Sequence, residues 1–121
     1  MLSTMHTGQI TRGLKPSWEP LIGLVGKDVV PGFMWMFALQ FDDGAEVHAY
    51  KSIATRQYVH LAVDGRAFAH HSQNRYEEVS ARQALEHAFA GWEDTFPKPK
   101  NAEAVRALLE RHSAPAVERT A

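Results

Sequence analysis

The chain of 121 residues contains no cysteine. Disulfides, thiolate metal sites and a thiol nucleophile are therefore excluded. It has no apolar run of roughly eighteen residues, so no membrane-spanning helix is expected. The opening MLSTMHTGQITRG lacks the apolar h-region of a secretory signal, and the expected location is the cytoplasm. Charge of one sign is also lacking. Thirteen Lys and Arg against fourteen Asp and Glu leave a net charge of −1, which is little for a protein that coats nucleic acid. Gly23, Gly26 and Gly32 fit neither a Walker A loop nor a dinucleotide fingerprint, and there is no G-x-S-x-G elbow. No cofactor is expected.

What the chain does have is apolar and aromatic mass. Hydrophobic residues are 45% and aromatics 10% of the total, enough for one folded core. The division expected is a flexible tail over 1–16, a single α+β domain over 17–112 and a second flexible tail over 113–121.

The centre of that domain is the stretch from Phe33 to His71, read as four short antiparallel strands in a meander. In FMWMFALQF the odd positions Phe33, Trp35, Phe37, Leu39 and Phe41 carry most of the large rings. Alternation puts them on one face. Asp42-Asp43-Gly44 supplies a turn, and pairing Phe41 with Ala45 sets Leu39 opposite Val47 and Phe37 opposite Ala49. A four-residue loop, Ser52 to Thr55, leads into a strand whose core face is assigned Val59, Leu61 and Val63. Asp64-Gly65 reads as a two-residue hairpin turn, pairing Val63 with Arg66, Leu61 with Phe68 and Val59 with His70. Tyr76–Val79 supplies a fifth strand, giving a four- to five-stranded meander over about 33–79.

Helices are expected on either side. Ser17 is a candidate cap for a short helix from Trp18 to about Val25. Ser80 and Gln83 form a capping box before Ala81, Ala84, Leu85, Ala88, Phe89 and Trp92, the spacing of one buried face. That helix, 81–92, is expected to cover the aromatic face of the sheet. A further helix over 102–111 carries Val105, Leu108 and Leu109 as a narrow stripe, suited to docking in cis or to a homodimer.

The remaining face of the meander collects Met36, Gln40, Glu46, His48, Tyr50, Arg56, Tyr58, His60 and His71, with Lys51 beside them. Three chemistries suit that set. Met36, Tyr50, Tyr58 and Arg56 are residue types enriched at protein interfaces. This supports the leading expectation: a small binding or regulatory protein whose partner is another protein. Tyr50 and Tyr58 with Lys51 and Arg56 also suit stacking of nucleic-acid bases with cationic support. His48 and His60 with Lys51 and Arg56 would serve acid–base cleavage of a phosphodiester without metal. Tyr50 to Leu61, YKSIATRQYVHL, resembles the sheet face of small microbial ribonucleases, but without the placed glutamate base that family uses. His48, His60 and His71 offer three imidazoles for a metal, yet strand spacing gives a row and not a converging pocket, so no metal site is assigned. His70 is expected on the core side, buried and hydrogen-bonded.

Overall fold

The computed structural model describes residues 5–95 and 99–113. Six antiparallel strands close into a barrel in simple sequential order. They are β1 (Met5–Thr11), β2 (Phe33–Phe41), β3 (Glu46–Ser52), β4 (Tyr58–Ala62), β5 (Ala67–Ser72) and β6 (Arg75–Val79). Helix α1 (Glu19–Val25) lies between β1 and β2, while α2 (Ala81–Ala88) and α3 (Ala102–Ser113) follow the barrel. The antiparallel sheet with helices agrees with the α+β expectation. The meander is not open, however: it closes on itself.

Closure comes from a segment expected as a flexible tail. β1 pairs with β2 on one side, Gly8 opposite Phe41 and Ile10 opposite Leu39, and with β6 on the other, His6 opposite Tyr76. Gly8 permits the approach. A Cβ there would sit 2.6 Å from the Phe41 ring and 3.2 Å from that of Tyr76, so β1 crosses the barrel interior closely only without a side chain at this position. The expected C-terminal tail beyond Ser113 lies outside the described residues.

The first hairpin has the expected register, with Leu39 opposite Val47 and Phe37 opposite Ala49. A β-bulge at Met36 then breaks the alternation, and Trp35 pairs with Tyr50. One extra residue reverses the facing of everything before it. Phe37, Leu39 and Phe41 point into the barrel, whereas Phe33 and Trp35 point outward beneath the helices. The expected single aromatic face is thus divided between two cores. One, inside the barrel, contains Leu39, Phe41, Val47, Ala62, Phe68 and Tyr76. The other, between barrel wall and helices, includes Leu21, Phe33, Tyr50, Leu61, Leu85 and Leu108. Each fully buried leucine contributes about 1.5–3 kcal/mol.

The next two hairpins differ from the expected registers. Between β3 and β4 the loop is longer than four residues, and Ala49 faces His60 while Tyr50 faces Val59. Between β4 and β5, His60 pairs with Phe68 and Leu61 with Ala67, with Ala62 N–H donating to the Arg66 carbonyl. The turn therefore takes Val63, Asp64 and Gly65, the last at φ 100°, a three-residue connection with glycine in the left-handed position. Val59 and Leu61 consequently face the helices, and Tyr58, His60 and Ala62 face the barrel interior.

The Ser80–Gln83 capping box is present in both directions. α2 ends at Ala88, earlier than expected; Gly91 takes a left-handed conformation and a 3-10 turn, Trp92–Asp94, carries the buried Trp92. α2 packs on the outer side of β4 and β5.

Candidate functional site at the barrel mouth

The two ends of the barrel differ. One end is plugged. His6 stacks on Phe41 and meets Phe68 edge-on, and its Nδ1 lies 3.4 Å from Asp42 and 3.7 Å from Asp43. These three side chains are close enough to share a cation, but their oxygens are already occupied. Asp42 accepts from Thr7 N–H, and Asp43 accepts from Ala45 N–H and from the Arg66 guanidinium at 3.1 Å. The Ala45 N–H and Arg66 hold the Asp43 carboxyl below its ordinary range. With the guanidinium supplying the positive charge, the cluster is a satisfied ion-pair network.

The other end opens as a cup of ≈ 500 Å3, within the range of small-molecule sites. Its wall is largely aromatic: Phe37 from β2, Tyr58 and His60 from β4, His70 from β5 and Tyr76 from β6. Tyr58 and His60 lie nearly parallel, 16° between planes and 5.9 Å between centroids. Tyr76 meets His60 at 5.1 Å and His70 at 4.9 Å. Ile10 and the Gln57 and Gln73 side chains complete the rim, and His87 reaches over it from the last turn of α2.

Among the described residues, the two non-glycine positions with positive φ are Arg56 at 64° and Gln73 at 49°. Arg56 adjoins the rim residue Gln57, and Gln73 is itself on the rim. Such backbone is uncommon outside glycine and asparagine and is found disproportionately where loops are shaped around a site. The loop containing Arg56 is tied down by Thr55, whose hydroxyl donates to the Ala88 carbonyl at the end of α2.

The polar groups of the cup are unusually free. His60 is 6% exposed and Tyr76 5%. No hydrogen bond within the described residues engages either His60 ring nitrogen or the Tyr76 hydroxyl, yet no buried polar atom is sealed away without a partner. These three atoms therefore reach the space of the cup. Burial pushes the His60 imidazole down to about 4, helped by repulsion from His70 and His87; at neutral pH it is uncharged, with one donor and one acceptor nitrogen. Burial raises the Tyr76 phenol, keeping its O–H as a donor. His70 is the partial exception. Its Nε2 pairs with the Gln73 carbonyl at 2.6 Å, so it is hydrogen-bonded as expected but exposed, at the mouth and not in a closed core.

The row of residues expected on one sheet face is dispersed. His48 and Tyr50 lie on the outer wall, both fully buried. His48 Nδ1 accepts from the Trp35 indole N–H at 2.8 Å, and its Nε2 is 2.6 Å from Glu46. Because the indole only donates, Nδ1 carries no proton and Nε2–H donates to the carboxylate. The Tyr50 hydroxyl donates to the Ser17 carbonyl, and burial raises its pKa, with Glu46 adding to the effect. His60 and Tyr58 are inside the barrel. His71 is outside and exposed, paired with Glu77 at 2.7 Å. Lys51 stands near the mouth, its Nζ 5.8 Å from the Tyr58 ring centroid. Arg56 is exposed in its loop, and Met36 sits in the bulge. His48 and His60 thus cannot act together on one phosphodiester, and His48, His60 and His71 do not converge on a metal. Of the expected site residues, Tyr58 and His60 are brought together, with Lys51 beside them. Phe37, His70 and Tyr76 were missed as their companions. The signal for Tyr76 and His70 was present in the β5–β6 hairpin, whose alternation points both inward once the strands close.

No protein-family model matches the chain, and neither a curated protein nor a solved structure is detectably similar to it.

Proposed function

We propose that this protein binds a small organic molecule in the mouth of its barrel. The observation that carries the reading is the pair His60 and Tyr76: both more than nine-tenths buried, both without a hydrogen-bond partner, both opening on the same cup. Their polar atoms open on the cup and spend no bond within the described residues, so they are available to a guest. A ligand seated in the cup supplies the missing partners and covers the rings around them. The earlier expectation of a binding protein is kept in its general form, with the surface moved from the outer sheet face to the barrel interior. Recognition of a protein partner by His48 and Tyr50 has no support, because both are fully buried.

Native mass spectrometry of the protein purified from its own cells, compared with the same sample under denaturing conditions, tests this. The expected result is a small organic mass released on denaturation and absent from His60→Ala. A protein or RNA mass in its place, unaffected by His60→Ala, would overturn the reading and move the function to the outer surface.

A further inference from the structure

We infer that the cup takes an uncharged, planar nitrogen heteroaromatic ring, stacked on Tyr58 and hydrogen-bonded at its edge by His60 and Tyr76. The inference rests on the small-molecule reading above and adds the chemical class of the ligand.

Three observations define that class. The first is shape. Tyr58 and His60 present ring planes 16° apart, Phe37 continues them at 35° to Tyr58, and Tyr76 stands across His60 at 63°. Nearly parallel faces backed by a crossing ring favour a flat aromatic guest over a flexible chain, since offset stacking and edge contacts both add to area burial. The second is charge. No Asp, Glu, Lys or Arg is among the cup's lining residues. A phosphate or carboxylate would find no lysine or arginine, and the His70 Nε2 is already spent on the Gln73 carbonyl; an ammonium ion would find no carboxylate. Lys51 does not alter this, because its ammonium group lies over the Tyr58 ring and is not itself part of the lining. The third is polarity. The free atoms are the Tyr76 O–H, a donor, and the two nitrogens of a neutral His60, one donor and one acceptor. A ring nitrogen at the guest's edge is the acceptor these donors lack, and an adjacent N–H or amino group matches the remaining acceptor. A hydrocarbon ring would fill the space and leave all three atoms unpaired.

The test uses the full chain, 15N-labelled at histidine and titrated at neutral pH with three probes: quinoline, naphthalene and decanoate. Quinoline and naphthalene have nearly the same shape and differ in one ring nitrogen. The expected result is saturable movement of the His60 ring resonances by quinoline, with an affinity about tenfold above that for naphthalene, as one recovered hydrogen bond supplies. Tyr76→Phe should lower quinoline binding toward the naphthalene level and leave naphthalene unchanged. Equal binding of quinoline and naphthalene, or preference for decanoate with His60 still perturbed, overturns the heteroaromatic assignment and leaves the cup as a binding site. If no probe of the three perturbs His60, both the assignment and the small-molecule reading fall. If quinoline binds without moving His60, the guest lies elsewhere and the assignment fails.

Discussion

His48 and His60 are two buried histidines on neighbouring strands of one sheet, and their surroundings are opposite. His48, on the outer wall, has both ring nitrogens engaged, one by Trp35 and one by Glu46. His60, on the inner wall, has neither engaged and faces a cup. The same contrast holds for the tyrosines. Tyr50 donates to Ser17 beneath the helices, while the Tyr76 hydroxyl is free at the mouth. Burial alone therefore does not separate bonded from available polar groups in this protein. Satisfaction does. A wall whose polar atoms are all paired has none to offer a guest, whereas one whose polar atoms are unpaired and open on a cup does.

Substituting the two histidines gives the largest effect. His48→Ala removes a fully buried ring, leaves the Trp35 indole without its acceptor and opens a cavity beside Trp35 and Tyr50; a loss of about 3–5 kcal/mol is expected. His60→Ala removes a ring that borders open space and no hydrogen bond, and should cost less than half as much. Urea unfolding at neutral pH measures both. Equal losses would erase the distinction between the two walls.

Acid sharpens the same contrast. His60 takes a proton near its ordinary value of 6.5 when unfolded and at about 4 when folded. Between these values the unfolded chain binds more protons, so folding is progressively disfavoured as pH falls from about 6.5 to about 4, and the loss is constant below that. The full loss is on the order of 3 kcal/mol. His60→Gln removes this contribution. The difference in unfolding free energy between wild type and variant should therefore change by that amount across the window, and identical pH profiles would show that His60 is not desolvated.

The hairpin over 33–52 was legible because its turn, Asp42-Asp43-Gly44, and its paired positions agree. What sequence could not supply was the bulge. Met36 is flanked by four apolar residues, and nothing in FMWMF distinguishes a regular strand from one with an extra residue, because Trp35, Met36 and Phe37 are all apolar and all half-buried. The odd–even rule then carried Trp35 to the wrong side. His60 was misplaced on other grounds: SIATRQ has no Asn-Gly or Asp-Gly step to fix the register, so Val59 and Leu61 were put with Val47 and Ala49 on apolar character alone, whereas Val59 lies opposite Tyr50. β1 was illegible for a different reason. Its inward positions His6, Gly8 and Ile10 lack the bulky alternation of a core strand, since the barrel is already filled there by Phe41 and Tyr76. Tyr58 and His60 were singled out in the sequence, and both line the cup. Their company was not, because it depends on which wall each strand presents.

The smallest effect makes the finest comparison. Tyr50→Phe and Tyr76→Phe remove the same atom from two buried phenols, each on the barrel wall. At Tyr50 the hydroxyl donates to the Ser17 carbonyl, which tethers the segment entering α1 to the sheet. Its loss leaves a carbonyl unpaired and should cost about 1 kcal/mol. At Tyr76 the hydroxyl gives up no intramolecular bond, and the ring that packs on Phe41 and His70 remains. The expected change is within about 0.5 kcal/mol of zero, and slight stabilisation is consistent with relief of an unsatisfied donor. The two thermal unfolding midpoints should therefore separate by a few degrees for a domain of this size, with Tyr76→Phe nearer wild type. An equal drop at both positions would mean that Tyr76 is as fully bonded as Tyr50, and the cup would then have lost one of the two groups that mark it as a site.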